Sequence, residues 1–403
     1  MTAQLLEHAW LGDTDGEVRD VVRVDAEDGV ITSVEVDTER PAAPRRGLTL
    51  PALANGHSHA FHRALRARAQ RRGSFWSWRE EMYRIAAELT PDTYFELARE
   101  VYAEMRDAGI GAVGEFHYLH HQPDGTPYDD PNEMGRALLA AADDAGIRIR
   151  LLDTCYLAAG IGRAPEGVQR RFSDGSADRW AERVDAFDDP RVGAAIHSVR
   201  AVPREQLKAV AAWAAGRPLH VHLSEQPAEN EECLAAHGLT PTALLAEEGV
   251  LGPNLTAVHA THLTDDDVRL LGEARAFVCM CPTTERDLAD GLGRARALAD
   301  AGARLTLGSD SHAVIDLFEE MRAVEMHDRL RTGERGHWSA SELLAAATYD
   351  GHASLGFDDA GRLAPGQRAD LVTVDLTTPR TRGCGATPET LVYAATAADV
   401  VPR

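Results

Sequence analysis

The sequence predicts an α/β protein: a (β/α)₈ barrel of the TIM type with a small β-domain assembled from both ends of the chain. Three observations lead there. Short apolar runs alternate with helix-periodic segments through the middle of the chain. Eight such runs can be counted, and the residues that close several of them are histidine, glutamate and aspartate. At 403 residues the chain has room for one barrel and a satellite.

Residues 1–47 read as the first part of the small β-sandwich, with strand-like Val18 to Val24, a turn at Glu27-Asp28-Gly29, and Val30 to Val36. Residues 359–403 return to that texture, where Gly361 to Gly366 leads into the β-branched run Ala369 to Val374. Between them, residues 48–358 carry the eight candidate strands: Leu48 to Leu53, Ala112 to Phe116, Arg148 to Leu152, Gly193 to Val199, Pro218 to Leu223, Leu255 to Ala260, Ala276 to Cys281 and Arg304 to Leu307. Helical periodicity fills the gaps, as in Pro91 to Ala108 and Arg204 to Ala215. An open doubly wound sheet is the competing architecture, but no Gly-x-Gly-x-x-Gly follows the first strand.

Forty-two basic residues against 64 acidic ones give a net charge of −22, which repels phosphate backbones and anionic lipid, so neither nucleic acid nor membrane is expected as a partner. An anionic substrate would need its own local arginines. Lys208 is the lone lysine. Five cysteines form no framework, Cys279 and Cys281 alternating within an apolar strand, and with no basic leader after Met1 a reducing cytoplasm is expected.

The run Asn55-Gly56-His57-Ser58-His59 closes the first apolar stretch. On an extended chain residues i and i+2 share a face, so His57 and His59 can turn toward one ion. Strand five closes with His220-Val221-His222-Leu223-Ser224-Glu225, strand six with His259, and strand eight with Asp310. Imidazoles with one carboxylate suit a divalent ion that keeps a position open for water. Taken singly, His222 reads equally as a core histidine, Glu225 as a helix cap, His259 as a strand-end surface residue and Asp310 as an N-cap in Gly308-Ser309-Asp310-Ser311. Taken together at successive strand ends they read as a site.

In these motifs and over nearly its whole length, the chain resembles the amidohydrolase superfamily, metal-dependent barrels with a small β-sandwich built from both termini. Branches that bridge two metals use a carboxylated lysine on strand four; Lys208 falls past that strand, which implies a single-metal site. The resemblance implies His57, His59, His222 and Asp310 as ligands, zinc first and iron(II) as the alternative, with Glu225 and His259 as the catalytic pair of the deaminating branch. Glu225 would carry protons to the departing nitrogen, His259 would orient the reacting oxygen, and Asp310 would accept the proton of water. The end at Val400-Val401-Pro402-Arg403 comes before the last sandwich strands expected in this family, so a shortened small domain with an open sheet edge is expected.

Four segments resemble the N-formimino-L-glutamate deiminases of histidine breakdown more narrowly: His57-Ser58-His59-Ala60-Phe61, Phe75-Trp76-Ser77-Trp78-Arg79-Glu80, Glu115-Phe116-His117-Tyr118-Leu119-His120-His121, and Cys281-Pro282-Thr283-Thr284-Glu285-Arg286-Asp287-Leu288. That resemblance implies Arg79, Tyr118, His197 and Arg200 as the set binding a dianionic substrate, with guanidinium forks matched to carboxylates. His62 stands where many members carry glutamine and is a further candidate contact. The alternative for Arg79 is stacking on Trp76 or Trp78, for Arg200 a surface salt bridge, and for Tyr118 an amphipathic place at the core edge. Adjacent residues on an extended chain point oppositely, so His120 and His121 are expected as solvated loop residues. Two other readings compete: a deaminase of a cyclic amidine such as guanine or a pterin, and a scaffold without activity. A homodimer is expected from symmetry statistics and family likeness.

Overall fold

The computed structural model describes residues 2–13, 15–36, 44–70 and 75–402, and the side chains of Phe75 and Trp76 fall outside that description, as do residues 71–74 of the arginine-rich loop after His62. Thirteen strands are described: β1 Thr2–Trp10, β2 Val18–Glu27, β3 Val30–Val36, β4 Arg45–Pro51, β5 Leu53–Ser58, β6 Ile110–His117, β7 Arg148–Cys155, β8 Val192–Ile196, β9 Leu219–Leu223, β10 Leu255–His259, β11 Phe277–Met280, β12 Arg304–Leu307 and β13 Leu371–Val374. Strands β5 to β12 form one eight-stranded sheet in sequential order, each parallel to the next. Helices follow them in the order expected of a barrel, and nearly all residues of β5 to β12 are buried because both faces are covered.

Strands β1 to β4 and β13 form the small sheet, in the order β13-β4-β1-β2-β3. It is a single sheet among the described residues. The apolar run from Leu48 was expected to open the barrel; instead Leu48–Pro51 belong to β4, parallel to β1 and antiparallel to β13, and the first barrel strand begins at Leu53. Two buried strands joined through Ala52 read in sequence as one continuous apolar stretch. The shift places Asn55, Gly56, His57 and Ser58 within β5, with His59 directly after it. Thr49 and Thr373 share a buried hydrogen bond of 2.8 Å that ties the N-terminal half of the small sheet to the C-terminal half.

The barrel closes where β5 meets the segment after β12. The amide of Asp310 donates to the His57 carbonyl at 3.0 Å, and the amide of His59 donates to the Asp310 carbonyl at 3.2 Å. Glycines make the approach possible. A Cβ on Gly308 would lie 2.8 Å from His57 Cβ and 2.9 Å from the His57 carbonyl oxygen, and one on Gly56 would lie 3.1 Å from the Leu307 carbonyl oxygen. Gly308→Ala is therefore expected to cost about 1–3 kcal/mol of stability through overpacking, read as a lower thermal midpoint together with loss of bound metal.

Candidate metal centre and active site

His57 sits on β5 and His59 follows it with an extended backbone (φ −124°, ψ 93°), so both rings turn to the barrel axis. There they meet His222 from β9 and Asp310 from beyond β12. Nε2 of His222 lies 3.3 Å from Nε2 of His59 and 3.2 Å from Nε2 of His57. Asp310 Oδ1 stands 3.4 Å from His57 Nε2 and 3.5 Å from His59 Nε2.

The tautomers show what this cluster needs. Nδ1 of His59 faces the Phe116 carbonyl and Nδ1 of His222 faces the His197 carbonyl, each at 3.0 Å. A carbonyl only accepts, so both Nδ1 atoms carry the proton and both Nε2 atoms are bare lone pairs. Burial pushes both rings well below the usual histidine range, keeping them neutral. Two bare nitrogens facing each other at 3.3 Å repel unless a cation sits among them. A tetrahedron with zinc–nitrogen legs of about 2.0–2.1 Å has edges of about 3.3–3.4 Å, which the observed spacings match. Burial alone would raise the Asp310 carboxyl, but the hydrogen bond from His57 and the surrounding imidazoles outweigh it and hold the group well below the carboxylate range. The donor set fits one divalent metal ion.

Beneath the donors a polar chain fixes their strands. Asn55 Nδ2 donates to Ser309 Oγ at 2.7 Å, and Ser309 Oγ meets His312 Nδ1 at 3.0 Å. His312 Nε2 meets Ser58 Oγ at 3.0 Å, and Ser58 donates to Glu115 Oε2 at 2.6 Å. Glu115 Oε1 accepts the Ala60 amide at 2.7 Å. With carboxylate as the final acceptor, every hydroxyl in the chain donates in one direction. The residues of the Asn55 to His59 motif thus divide their work: His57 and His59 face the cluster of donors while Asn55 and Ser58 anchor the barrel seam.

Glu225 follows β9, after Ser224 at φ 50°. His259 and Asp310 also have positive φ, 67° and 44°. Such backbones are costly for residues with a Cβ and concentrate where side-chain aim matters. His259 Nε2 lies 3.8 Å from Glu225 Oε1 and 3.7 Å from Asp310 Oδ2, and its Nδ1 lies 3.5 Å from Glu285 Oε1. Burial opposes protonation of this ring, but the three carboxylates overcome it and raise the group well above the ordinary range. Burial raises the Glu225 carboxyl.

One cavity opens over these groups, lined by His59, His222, Glu225, His259 and Asp310 at its floor and by Arg79, Tyr118, His197, Arg200 and His62 on its walls. His57 lies behind the floor, fully buried. His62 Nε2 meets Tyr118 Oη at 3.0 Å, and burial pushes this imidazole down to about 3. Arg79, on the helix Phe75–Glu88, lies with its guanidinium 5.5 Å from the Tyr83 ring; the stacking alternative on Trp76 falls outside the described side chains. Arg200 is half-buried on the cavity wall, with Nε 3.4 Å from Oε2 of the fully buried Glu229, so the salt bridge weighed for it reaches an interior carboxylate rather than one on the outer surface. Burial pushes the Glu229 carboxyl up to about 7.

His120 and His121 are not solvated, contrary to the expectation from alternation. His120 Nε2 bonds the Thr154 carbonyl at 2.9 Å and His121 Nε2 lies 3.1 Å from Asp174 Oδ1. The chain beyond β6 is no longer a regular strand, so the two-residue alternation does not govern it. His117, His120 and Asp153 also come within ligand distance of one another. Asp153 there accepts two bonds from Arg183, at 2.7 and 2.9 Å, and one from Trp180 Nε1 at 2.9 Å, so the guanidinium already fills the place of a cation. Two residues near the floor carried no sequence signal beyond their type: Glu285, quoted only as part of a motif, and Glu229, one turn past Glu225. Their roles depend on contacts across the barrel.

Protein prepared without chelator is expected to hold one divalent ion per chain by elemental analysis, and His59→Ala and His222→Ala to lower that occupancy at least about tenfold.

Comparison with known proteins agrees with this arrangement. Residues 48–401 match the model of the amidohydrolase family. Formimidoylglutamate deiminase of Pseudomonas aeruginosa is 37% identical over 398 residues, covering 93% of this chain and 86% of the relative. The crystal structure of an amidohydrolase from Brucella melitensis superposes with a TM-score of 0.90 at 32% identity, covering 99% of this chain and 92% of the other. That of an adenosine deaminase from Xanthomonas campestris, with bound zinc, superposes with a TM-score of 0.84 at 25% identity, covering 99% and 90%. A barrel that gathers three histidines and an aspartate at its strand ends, matched by the family model over most of its length, belongs to the amidohydrolase family, and the chain is a hydrolase of carbon–nitrogen bonds.

Proposed function

We propose that the chain hydrolyses N-formimino-L-glutamate to N-formyl-L-glutamate and ammonia. The observation that carries this reading is the pair Arg79 and Arg200 on the walls of the cavity that holds the metal donors, in a protein of net charge −22. Two guanidinium groups in an acidic molecule match a substrate with two carboxylates, and bidentate forks fix its orientation. The name of the Pseudomonas aeruginosa relative supports the same substrate.

A divalent ion held by His57, His59, His222 and Asp310, with zinc as the proposed metal, supplies Lewis acidity and lowers the pKa of water. The chain's own groups move the protons. Asp310, held anionic, accepts a proton from the attacking water. The water oxygen bonds to the formimino carbon while His259, favoured in its protonated form by Glu225, Glu285 and Asp310, donates a hydrogen bond to the oxygen as charge develops there. Glu225, whose raised carboxyl can hold a proton, delivers it to the terminal nitrogen. As the bond between carbon and that nitrogen breaks, Asp310 passes the proton it took to the nitrogen and Glu225 recovers the proton of the new hydroxyl, so ammonia leaves and both carboxyl groups return to their starting state. Arg79 and Arg200 hold the two carboxylates, with Tyr118, His197 and His62 completing the wall.

The adenosine deaminase from Xanthomonas campestris marks the second reading, a cyclic amidine substrate. A neutral ring offers no carboxylate to either guanidinium. Ammonia release measured in parallel on N-formimino-L-glutamate, guanine and adenosine decides between them: the first is expected to turn over and the rings to be inert, and the reverse order would overturn the reading.

Glu225→Gln is expected to lower kcat by about 10²–10⁴-fold with metal content unchanged. Arg79→Met and Arg200→Met are each expected to lower kcat/KM by about 10–100-fold, since a hydrogen bond to a charged group is worth about 1.5–3 kcal/mol. Steady-state kinetics with elemental analysis of the same preparations checks both.

A further inference from the structure

A second group of ligand atoms adjoins the first. His259, Cys281 and Asp310 are all buried and present donor atoms that lie within 4.8 Å of one another. The two oxygens of Asp310 serve different neighbours: Oδ1 faces His57 and His59 at 3.4 and 3.5 Å, whereas Oδ2 faces His259 Nε2 at 3.7 Å. Cys281 follows β11 and directly precedes the helix Pro282–Leu288. Its thiol packs beside Val258 and Cys279 and lies 4.0 Å from the Cys279 carbonyl, while its amide donates to Glu285 Oε1 at 2.9 Å. The same Glu285 oxygen stands 3.5 Å from His259 Nδ1, so one buried carboxylate backs both residues. Among the described residues His259 Nδ1 has no hydrogen-bond partner, and Glu225, Glu285 and Asp310 stand 3.5–3.8 Å from the ring nitrogens.

We propose that His259, Cys281 and Asp310 form a second, inhibitory site for a thiophilic divalent cation, with Asp310 bridging it to the first. A thiolate, an imidazole and a carboxylate select borderline and soft ions over magnesium or calcium. The 3.7 Å edge between His259 and Asp310 is wider than the edges around His57, His59 and His222, which suits an ion with longer bonds, such as Cd²⁺. Binding forms a sulfur–metal and a nitrogen–metal bond and releases two protons to solvent, one from the thiol and one from His259 Nε2. The bound ion occupies His259 Nε2, the atom that would otherwise face the reacting oxygen, so turnover stops. Nothing in this argument depends on which amidine the enzyme hydrolyses.

The test titrates Cd²⁺ into protein carrying one equivalent of zinc, with the exposed Cys384 changed to serine throughout. Binding is read by equilibrium dialysis, by the ultraviolet charge-transfer band of a cadmium thiolate, and by turnover. The parent is expected to take up one equivalent of Cd²⁺ without losing zinc, to gain the band, and to lose activity in step. Cys281→Ser is expected to keep its zinc and to lose the band together with at least about ten-fold of the Cd²⁺ sensitivity. Cys281→Ala serves the same comparison if the serine variant folds poorly, as judged by circular dichroism. Cadmium uptake matched by zinc release without a band, a band that persists when Cys281 is changed, or equal inhibition of parent and variant would each overturn the proposal.

Discussion

The seam between β5 and the residues after β12 governs the molecule. Asp310 gives its amide to His57, takes the amide of His59 on its carbonyl, and turns its carboxylate toward both rings. Closing the barrel and assembling the metal donors are therefore one event. This coupling explains why the left-handed backbone at Asp310 persists, since the paired strands on either side determine it. It also explains the glycines at 56 and 308, where any side chain would push the seam apart and the donors with it.

Charge is distributed with the same economy. The acidic excess is carried largely at the surface, while Glu225, Glu285 and Asp310 converge on one imidazole inside. On the opposite wall Arg200 leans on Glu229, a buried carboxyl that fixes the guanidinium without the exposure that would screen it. The cavity is thus polarised from floor to wall, with carboxylates and imidazoles at one end and guanidinium groups at the other.

Much of this was legible from residue order alone. The alternation of apolar runs and helical periods exposed eight strands, and the polar residue after each run marked the floor of the cavity, because barrel geometry sends strand ends to one face. The boundary at Leu48 was not legible, since a small-sheet strand and a barrel strand with only Ala52 between them leave no polar break. The burial of His120 and His121 was missed because their partners, the Thr154 carbonyl and Asp174, arrive from distant segments. Glu285 was hidden for a similar reason: its meaning lies in its distance to His259, two strands back along the sequence.

Arg171 is fully buried and donates to the carbonyls of Ala86 and Leu89 at the end of the helix that bears Arg79, and Gln169 bonds both Tyr83 on that helix and Tyr156 beyond β7. The helix is thereby fastened to the segment 167–172, while its Trp78 meets His62, three residues past His59, edge-on at 5.1 Å. Arg79 accordingly reaches the cavity on a helix laid against the barrel, whereas Tyr118, His197 and Arg200 arrive on the barrel's own strand ends, so the width of the cavity mouth is governed by how firmly those buried bonds hold the helix in place.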